Sequence, residues 1–148
     1  MLTIHYPDPH FQRKEEGGKE FIFDAIRKKW LQLTPEEWVR QNFVNYLITS
    51  KEYPSSFIAL EKNITVGDMQ KRFDILIYNS SHQPWMMIEC KAPSVMLDEK
   101  TLHQLLRYHI AVPVEYLIIT NGTTTYGWKK ETQGLVLLNE LPAWERTV

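Results

Sequence analysis

Three side chains in the middle of the chain have the types and spacing for metal-assisted hydrolysis. Glu89 and Lys91 stand two apart in "WMMIECKAPS", at the far end of an apolar run, and Asp74 is the acid of "RFDILIY" upstream. Side chains alternate along a strand, so Glu89 and Lys91 project to one face and Cys90 to the other. The polar stretch "NSSHQP", residues 79–84, reads as the turn between the two runs. Asp74 lies five residues before it and Glu89 five after. Hairpin pairing therefore sets the two carboxylates side by side, at the end away from the turn. Like charges there destabilise a sheet unless something positive sits between them. A divalent cation would do so. Carboxylates suit Mg²⁺ or Mn²⁺, and Mg²⁺ commonly takes one or two of them while keeping other positions for water and phosphate oxygens. Such a cation activates water and polarises a phosphodiester, and Lys91 would orient the water and offset transition-state charge. Alone, a Glu-x-Lys at a strand end is more often a surface ion pair; Asp74 brings the two readings level.

These residues need elements to hold them. "LTPEEWVRQNFVNYLITS" predicts a helix from about Pro35 to Ile48, with Thr34 as N-cap, Pro35 at the first helical position and Glu37 completing a capping box. Val39, Phe43, Tyr46 and Leu47 form its apolar stripe. With Glu37 assigned to the cap, Glu36 is expected to project along the core direction of Val39, Phe43 and Leu47. "FIALEKNITV", "FDILIY" and "WMMIECK" read as three strands, with a turn in "GDMQKR". A second helix follows in "LDEKTLHQLLRYHIAV", with Leu102, Leu105, Leu106 and Ile110 on one face and Pro113 as its stop. "VEYLIIT" is of buried-strand length, Asn121-Gly122 is a hairpin signal, "TTTYGWKK" returns and "LVLLNEL" adds an edge. The first 33 residues read as an irregular arm and a short strand or hairpin packed on the rest. The pattern predicts one domain over residues 1–148, an α/β (α+β) fold with a mixed central sheet in helix-strand-strand-strand-helix-strand order, flanked by helices.

Composition narrows the classes. With 43% hydrophobic and 24% charged residues, and Lys+Arg 17 against Asp+Glu 18, this is neither a disordered tail nor a chain coated in basic residues. Cys90 is the single cysteine, which excludes an intrachain disulfide and a cysteine-rich zinc site and points to a reducing compartment. No apolar run approaches the ~18 residues of a membrane span, and "MLTIHYPDPH" lacks the pattern of a signal peptide. The expectation is a cytoplasmic protein with no membrane partner.

The sequence resembles the PD-(D/E)XK nuclease superfamily, with Asp74 as first acid and Glu89-Cys90-Lys91 as the (D/E)XK element. Phe73 stands where a proline is usual before the first acid. Gln104 and Tyr108, at i and i+4 in "HQLLRY", form a Q-x-x-x-Y helix that resembles the RecB-like branch. Taken with "LTPEEWVRQNF", "FDILIY", "IECKAP" and "LIITNG", the similarity over roughly residues 20–130 is to the N-terminal endonuclease domain of type I restriction enzyme motor (R) subunits. The resemblance implies a restriction-endonuclease-like core and Mg²⁺ (or Mn²⁺) held by Asp74, Glu89 and the main-chain carbonyl of Cys90. It makes Lys91, Gln104 and Tyr108 further catalytic residues and offers Glu36 as an acid from the first helix.

Contacts to DNA phosphates would come from local clusters: Arg27, Lys28 and Lys29 in "IRKKW", Lys71 and Arg72 in "QKRF", Arg40 and Arg107. The plain reading of each is a solvated face, and for "IRKKW" the two readings carry about equal weight. No base-reading module is visible, and the sequence contains no G-x-x-x-x-G-K-[ST]. Translocation or sequence specificity would therefore fall to a separate translocase or specificity subunit, and double-strand cleavage to a homodimer. The expected activity is metal-dependent hydrolysis of DNA phosphodiester bonds, as in restriction-modification; the alternative is a catalytically silent DNA-binding or scaffold protein that keeps the fold.

Overall fold

The computed structural model describes residues 1–144. Strands β1 (Arg13–Glu16), β2 (Lys19–Asp24) and β3 (Lys29–Gln32) form an antiparallel three-stranded sheet, so the short hairpin expected near the N-terminus is a full meander. Its first turn is the two-residue Gly17-Gly18, at φ +58° and +77°, the left-handed region that glycine enters without a steric penalty.

Helix α1 (Pro35–Thr49) starts where Thr34 Oγ1 accepts from the Glu37 N–H at 3.1 Å. Then come β4 (Ile58–Val66), β5 (Met69–Tyr78), β6 (Pro84–Cys90), α2 (Glu99–His109), β7 (Tyr116–Thr120), β8 (Thr125–Glu131) and β9 (Gly134–Leu137). The last six strands form one mixed sheet in order β4-β5-β6-β7-β8-β9, antiparallel except for the parallel β6–β7 pair that α2 bridges. This is the expected order, in a mixed α+β architecture compatible with a restriction-endonuclease-like fold. Asn121-Gly122 opens a four-residue loop in which Asn121 Oδ1 accepts from the N–H groups of Thr123 and Thr124.

The sheet separates two apolar cores. Val39, Phe43 and Leu47 of α1 pack with Ile58, Leu60, Ile75, Ile77, Met86, Ile88 and Ile118, whereas Phe73, Leu76, Met87 and Leu117 face the side where Leu106 of α2 packs. Phe43 and Leu47 are fully buried, each contributing about 1.5–3 kcal/mol from apolar area removed from water. α1 also meets the N-terminal meander: Val44 and Ile48 line a hollow with Phe11 and Phe23, and Phe11 packs edge-on against Trp38. A helix between two sheets has inner faces on both sides. That is why Glu37, Arg40 and Gln41 are buried along with its apolar stripe.

α2 differs from expectation at its end. It stops at His109, four residues short of Pro113, and Ile110 is 47% exposed. The inward face of Leu102, Leu105 and Leu106 continues to His109, at i+7 from Leu102.

Candidate active site

β5 and β6 pair as Ile77↔Met86 and Ile75↔Ile88, and one further step along that register sets Asp74 opposite Glu89. Counting outward from the turn locates this pair even though a bulge between Ile77 and Tyr78 shifts the ladder near the turn.

The other edge of β5 contains a feature with no signature in the sequence. Its ladder with β4 runs Leu60↔Ile75 and then Lys62↔Phe73, leaving Glu61 and Asp74 outside the regular pairing. Glu61 has φ +50°, in a region that non-glycine residues enter only with strain. The alternation slips at this point. Phe73 and Leu76 share the α2-side core, while Ile75 and Ile77 belong to the α1 side. Asp74 sits at the slip. Its Oδ1 lies 3.2 Å from Nη2 of Arg40 on α1, and its Oδ2 accepts from the Cys90 N–H at 2.7 Å.

Glu89 obeys the plain alternation. Lys91 shares its face, with Nζ 3.5 Å from Oε1, and Nε2 of His109 at the end of α2 lies 3.6 Å from Oε2. His109 is buried, and its Nδ1 is buried without a hydrogen-bond partner.

The two acids titrate in opposite directions. Burial and the neighbouring Glu89 raise Asp74 to about 6, against the pull of the Cys90 N–H and Arg40. Burial also works to raise Glu89, but His109 and Lys91 hold it below its ordinary value. Burial and mutual repulsion thus act on both acids, opposed by Arg40 on one and by His109 and Lys91 on the other. Among the described residues no three His, Cys, Asp or Glu side chains converge as a metal cluster. Two carboxylates with the adjacent Cys90 main chain are a sparse oxygen set, and a sparse set fits Mg²⁺, which keeps several waters.

The first helix corrects one expectation. Glu36 does not project into the core: its side chain is 48% exposed, and it is Glu37 that turns inward. The reciprocal half of the capping box is replaced by ion pairing. Glu37 Oε1 accepts from Arg40 Nη1 at 2.6 Å, and Oε2 accepts from Gln41 Nε2 at 3.0 Å. A carboxylate three and four residues before cationic and amide donors on a buried helical face finds them at closer range than the cap N–H. Glu36 still reaches Arg40 at 3.6 Å and adds to the charge that raises Asp74.

The basic residues divide into two groups. Arg27 sits in the β2–β3 turn, which buried Asp24 organises by accepting from the Ile26 and Arg27 N–H groups. Its guanidinium is turned inward onto Asp24, Glu61 and Glu37 at 2.6, 2.8 and 3.6 Å. Arg40 is likewise buried among carboxylates. Lys71 is buried too; its ammonium donates to the Tyr108 carbonyl and lies 4.0 Å from the centre of the Tyr108 ring. Lys28, Lys29, Arg72 and Arg107 are exposed. Gln104 shares a surface hollow with Glu99, Lys100, His103 and Arg107, and exposed Tyr108 meets His109 edge-on. The structure therefore connects Tyr108 to Glu89 through His109.

A family model described as Type I restriction enzyme R protein N terminus (HSDR_N) matches residues 35–142. The chain belongs to this family. The match runs from the first residue of α1 past β9 and includes Asp74, Glu89, Lys91, Gln104 and Tyr108; the meander that delivers Arg27 lies ahead of it. A search of curated proteins finds no match to the chain. No helix among the described residues is long and apolar enough to cross a membrane.

Sequence reasoning missed His109, Glu61 and the inward turn of Glu37 and Arg27. His109 had a signal, since it falls at helical spacing from Leu102 and Leu105, but a histidine on an apolar face is easily passed over for the neighbouring isoleucine. Glu61 had none, because a local strand slip has no residue signature here.

Proposed function

We propose that this chain is a nuclease domain of the type I restriction R-protein kind, an endonuclease of the PD-(D/E)XK type that hydrolyses DNA phosphodiester bonds with Mg²⁺ or Mn²⁺. The observation that carries this reading is the Asp74–Glu89 pair: two acids brought opposite one another at the end of a buried hairpin, with Lys91 on the second. Asp74, Glu89 and the Cys90 carbonyl would hold the cation, with Glu36 at the edge of the site. When bound, the cation would supply a water of lowered pKa and charge stabilisation on the phosphate. Lys91, paired with Glu89, orients the water and offsets charge as the bond breaks. Gln104 and Tyr108 enter the proposal through the family resemblance; Tyr108 lies against His109, which is beside Glu89, and Gln104 lies in the surface hollow with Arg107. Lys28, Lys29, Arg72 and Arg107 are the exposed candidates for the DNA backbone. Arg27, Arg40 and Lys71 work inside the fold. Residues 1–148 hold no nucleotide-binding or base-reading motif, so translocation and sequence choice would be supplied by other parts of such a system.

One observation favours a second reading, a DNA-binding scaffold without turnover. Arg40 already places a positive charge on Asp74, as a site that no longer takes metal would. A cleavage assay with Mg²⁺ or Mn²⁺ on supercoiled, linear and single-stranded DNA decides between them. Wild type should cut, and Asp74→Ala and Lys91→Ala should each lose about 10²-fold or more, the scale of one transition-state contact. Equal behaviour of all three proteins, with DNA binding retained, would select the scaffold.

A further inference from the structure

Arg40 is the most heavily shared cation among the described ion pairs. Nη1 lies 2.6 Å from Glu37 and 3.3 Å from Glu61, while Nη2 lies 3.2 Å from Asp74 and 3.6 Å from Glu36. The guanidinium thus has two ends of different character. The Nη1 end is anchored, because Glu37 is also held by Gln41 and Glu61 by Arg27 and Arg72, each at 2.8 Å. The Nη2 end faces Asp74, and Nε is buried without a hydrogen-bond partner. The side chain is only 5% exposed, which leaves no face for a DNA phosphate.

We propose that Arg40 is a built-in counter-ion: it holds Asp74 through Nη2 until a divalent cation takes that carboxylate, and then stays in the fold on Glu37 and Glu61 through Nη1. The inference rests on the metal-site reading above. A guanidinium fork can release one end without leaving, which a lysine ammonium on a flexible stem cannot do. Without such a counter-ion, Asp74 and Glu89 would face each other in a buried setting with Lys91 and His109 gathered on Glu89 alone. The slip at Glu61 has a place in this device. By leaving the β4–β5 ladder opposite Asp74, Glu61 supplies an acceptor for the anchored end, 3.3 Å from Nη1. Arg40 therefore competes with the cation for Asp74.

The test uses the whole chain and two measurements. Calorimetric titration with Mn²⁺ should show about tenfold tighter binding in Arg40→Gln than in wild type, a conservative figure for removing one like charge a few ångströms from the ion. Arg40→Lys, which keeps the charge without the fork, should not show that gain, and a gain as large as that of Arg40→Gln would overturn the role of the charge. Nuclear magnetic resonance of the Arg40 Nε–H in wild type, assigned by its loss in Arg40→Lys, should show that signal moving on titration with Mg²⁺ and standing still in Asp74→Asn. The second measurement stands even if Arg40→Gln fails to fold. Equal or weaker Mn²⁺ binding by a folded Arg40→Gln overturns the counter-ion role alone. An unmoved Nε–H signal in a wild type that binds Mg²⁺ also overturns it, since tighter binding would then reflect simple repulsion. A wild type that binds neither ion overturns the metal-site reading itself, and this inference with it.

Discussion

Asp74 and Glu89 face each other across one strand pair, yet they live in different halves of the molecule. Asp74 belongs to the α1 side, where Arg40 is shared among four carboxylates, and its carboxyl is raised to about 6. Glu89 belongs to the α2 side, where His109 and Lys91 serve it directly, and its carboxyl is lowered. The difference teaches that the sheet brings two like groups together while the helices on its two faces give them opposite protonation behaviour. Environments that push paired titratable groups apart are a recurrent property of sites that handle protons and metals.

The largest way to test this contrast is through pH. With divalent cations chelated, Asp74 in the folded chain keeps its proton up to about pH 6, whereas the unfolded chain releases it near the ordinary value of 3.8. The folded state binds more protons across that window, so the stabilising contribution of Asp74 is complete at the acid end and is lost as pH rises. Wild type should lose stability relative to Asp74→Asn between about pH 4 and pH 6 and level off above, which urea titrations at each pH will read. Parallel profiles for the two proteins would show that Asp74 is not raised. Glu89 carries the opposite sign: its contribution is present above its unfolded value and disappears as pH falls through its lowered folded value.

A smaller effect is expected on the other side of the pair. His109→Ala removes a buried group and one of the two partners that hold Glu89 down. It should cost about 2 kcal/mol of stability by the usual cavity and lost-partner terms and raise the Glu89 pKa, followed by carboxyl carbon resonance titration. His109→Gln should restore part of both. An unmoved Glu89 in His109→Ala would mean that Lys91 alone sets its behaviour.

The mildest expectation leaves both acids alone and asks which side of them faces the DNA backbone. Alanine at Lys28 or Lys29 probes the α1 side and alanine at Arg107 the α2 side. Each substitution at a true phosphate contact should weaken DNA binding a few-fold and reduce the salt slope by about one. A salt slope that is unchanged for all three would remove these residues from the interface.

Much of this was legible in sequence, because it depends on short-range chemistry. Thr34-Pro35 marks a helix start and the apolar runs between turn signals read as strands, while the pairing of Asp74 with Glu89 that counting from the turn suggests is set by the bulge between Ile77 and Tyr78. Lys91 on the Glu89 face follows from the two-residue period alone. The first helix was harder. Its sequence shows one apolar stripe, but α1 lies between two sheets, so a second, polar inner face made of Glu37, Arg40 and Gln41 became buried.

By itself, then, the sequence determined the order of elements and the acid–acid–lysine pattern, since backbone periodicity and capping act over a few residues, whereas the bulge that sets the exact hairpin register came from the fold. Only the tertiary structure decided which partners each acid has. Arg27 comes from a turn 34 residues away from Glu61, Arg40 lies 34 residues from Asp74, and His109 reaches Glu89 from the end of a separate helix. Contacts of that separation are set by how the sheets and helices pack, and burial then decides their strength, because it removes the water that would otherwise screen one charge from the next.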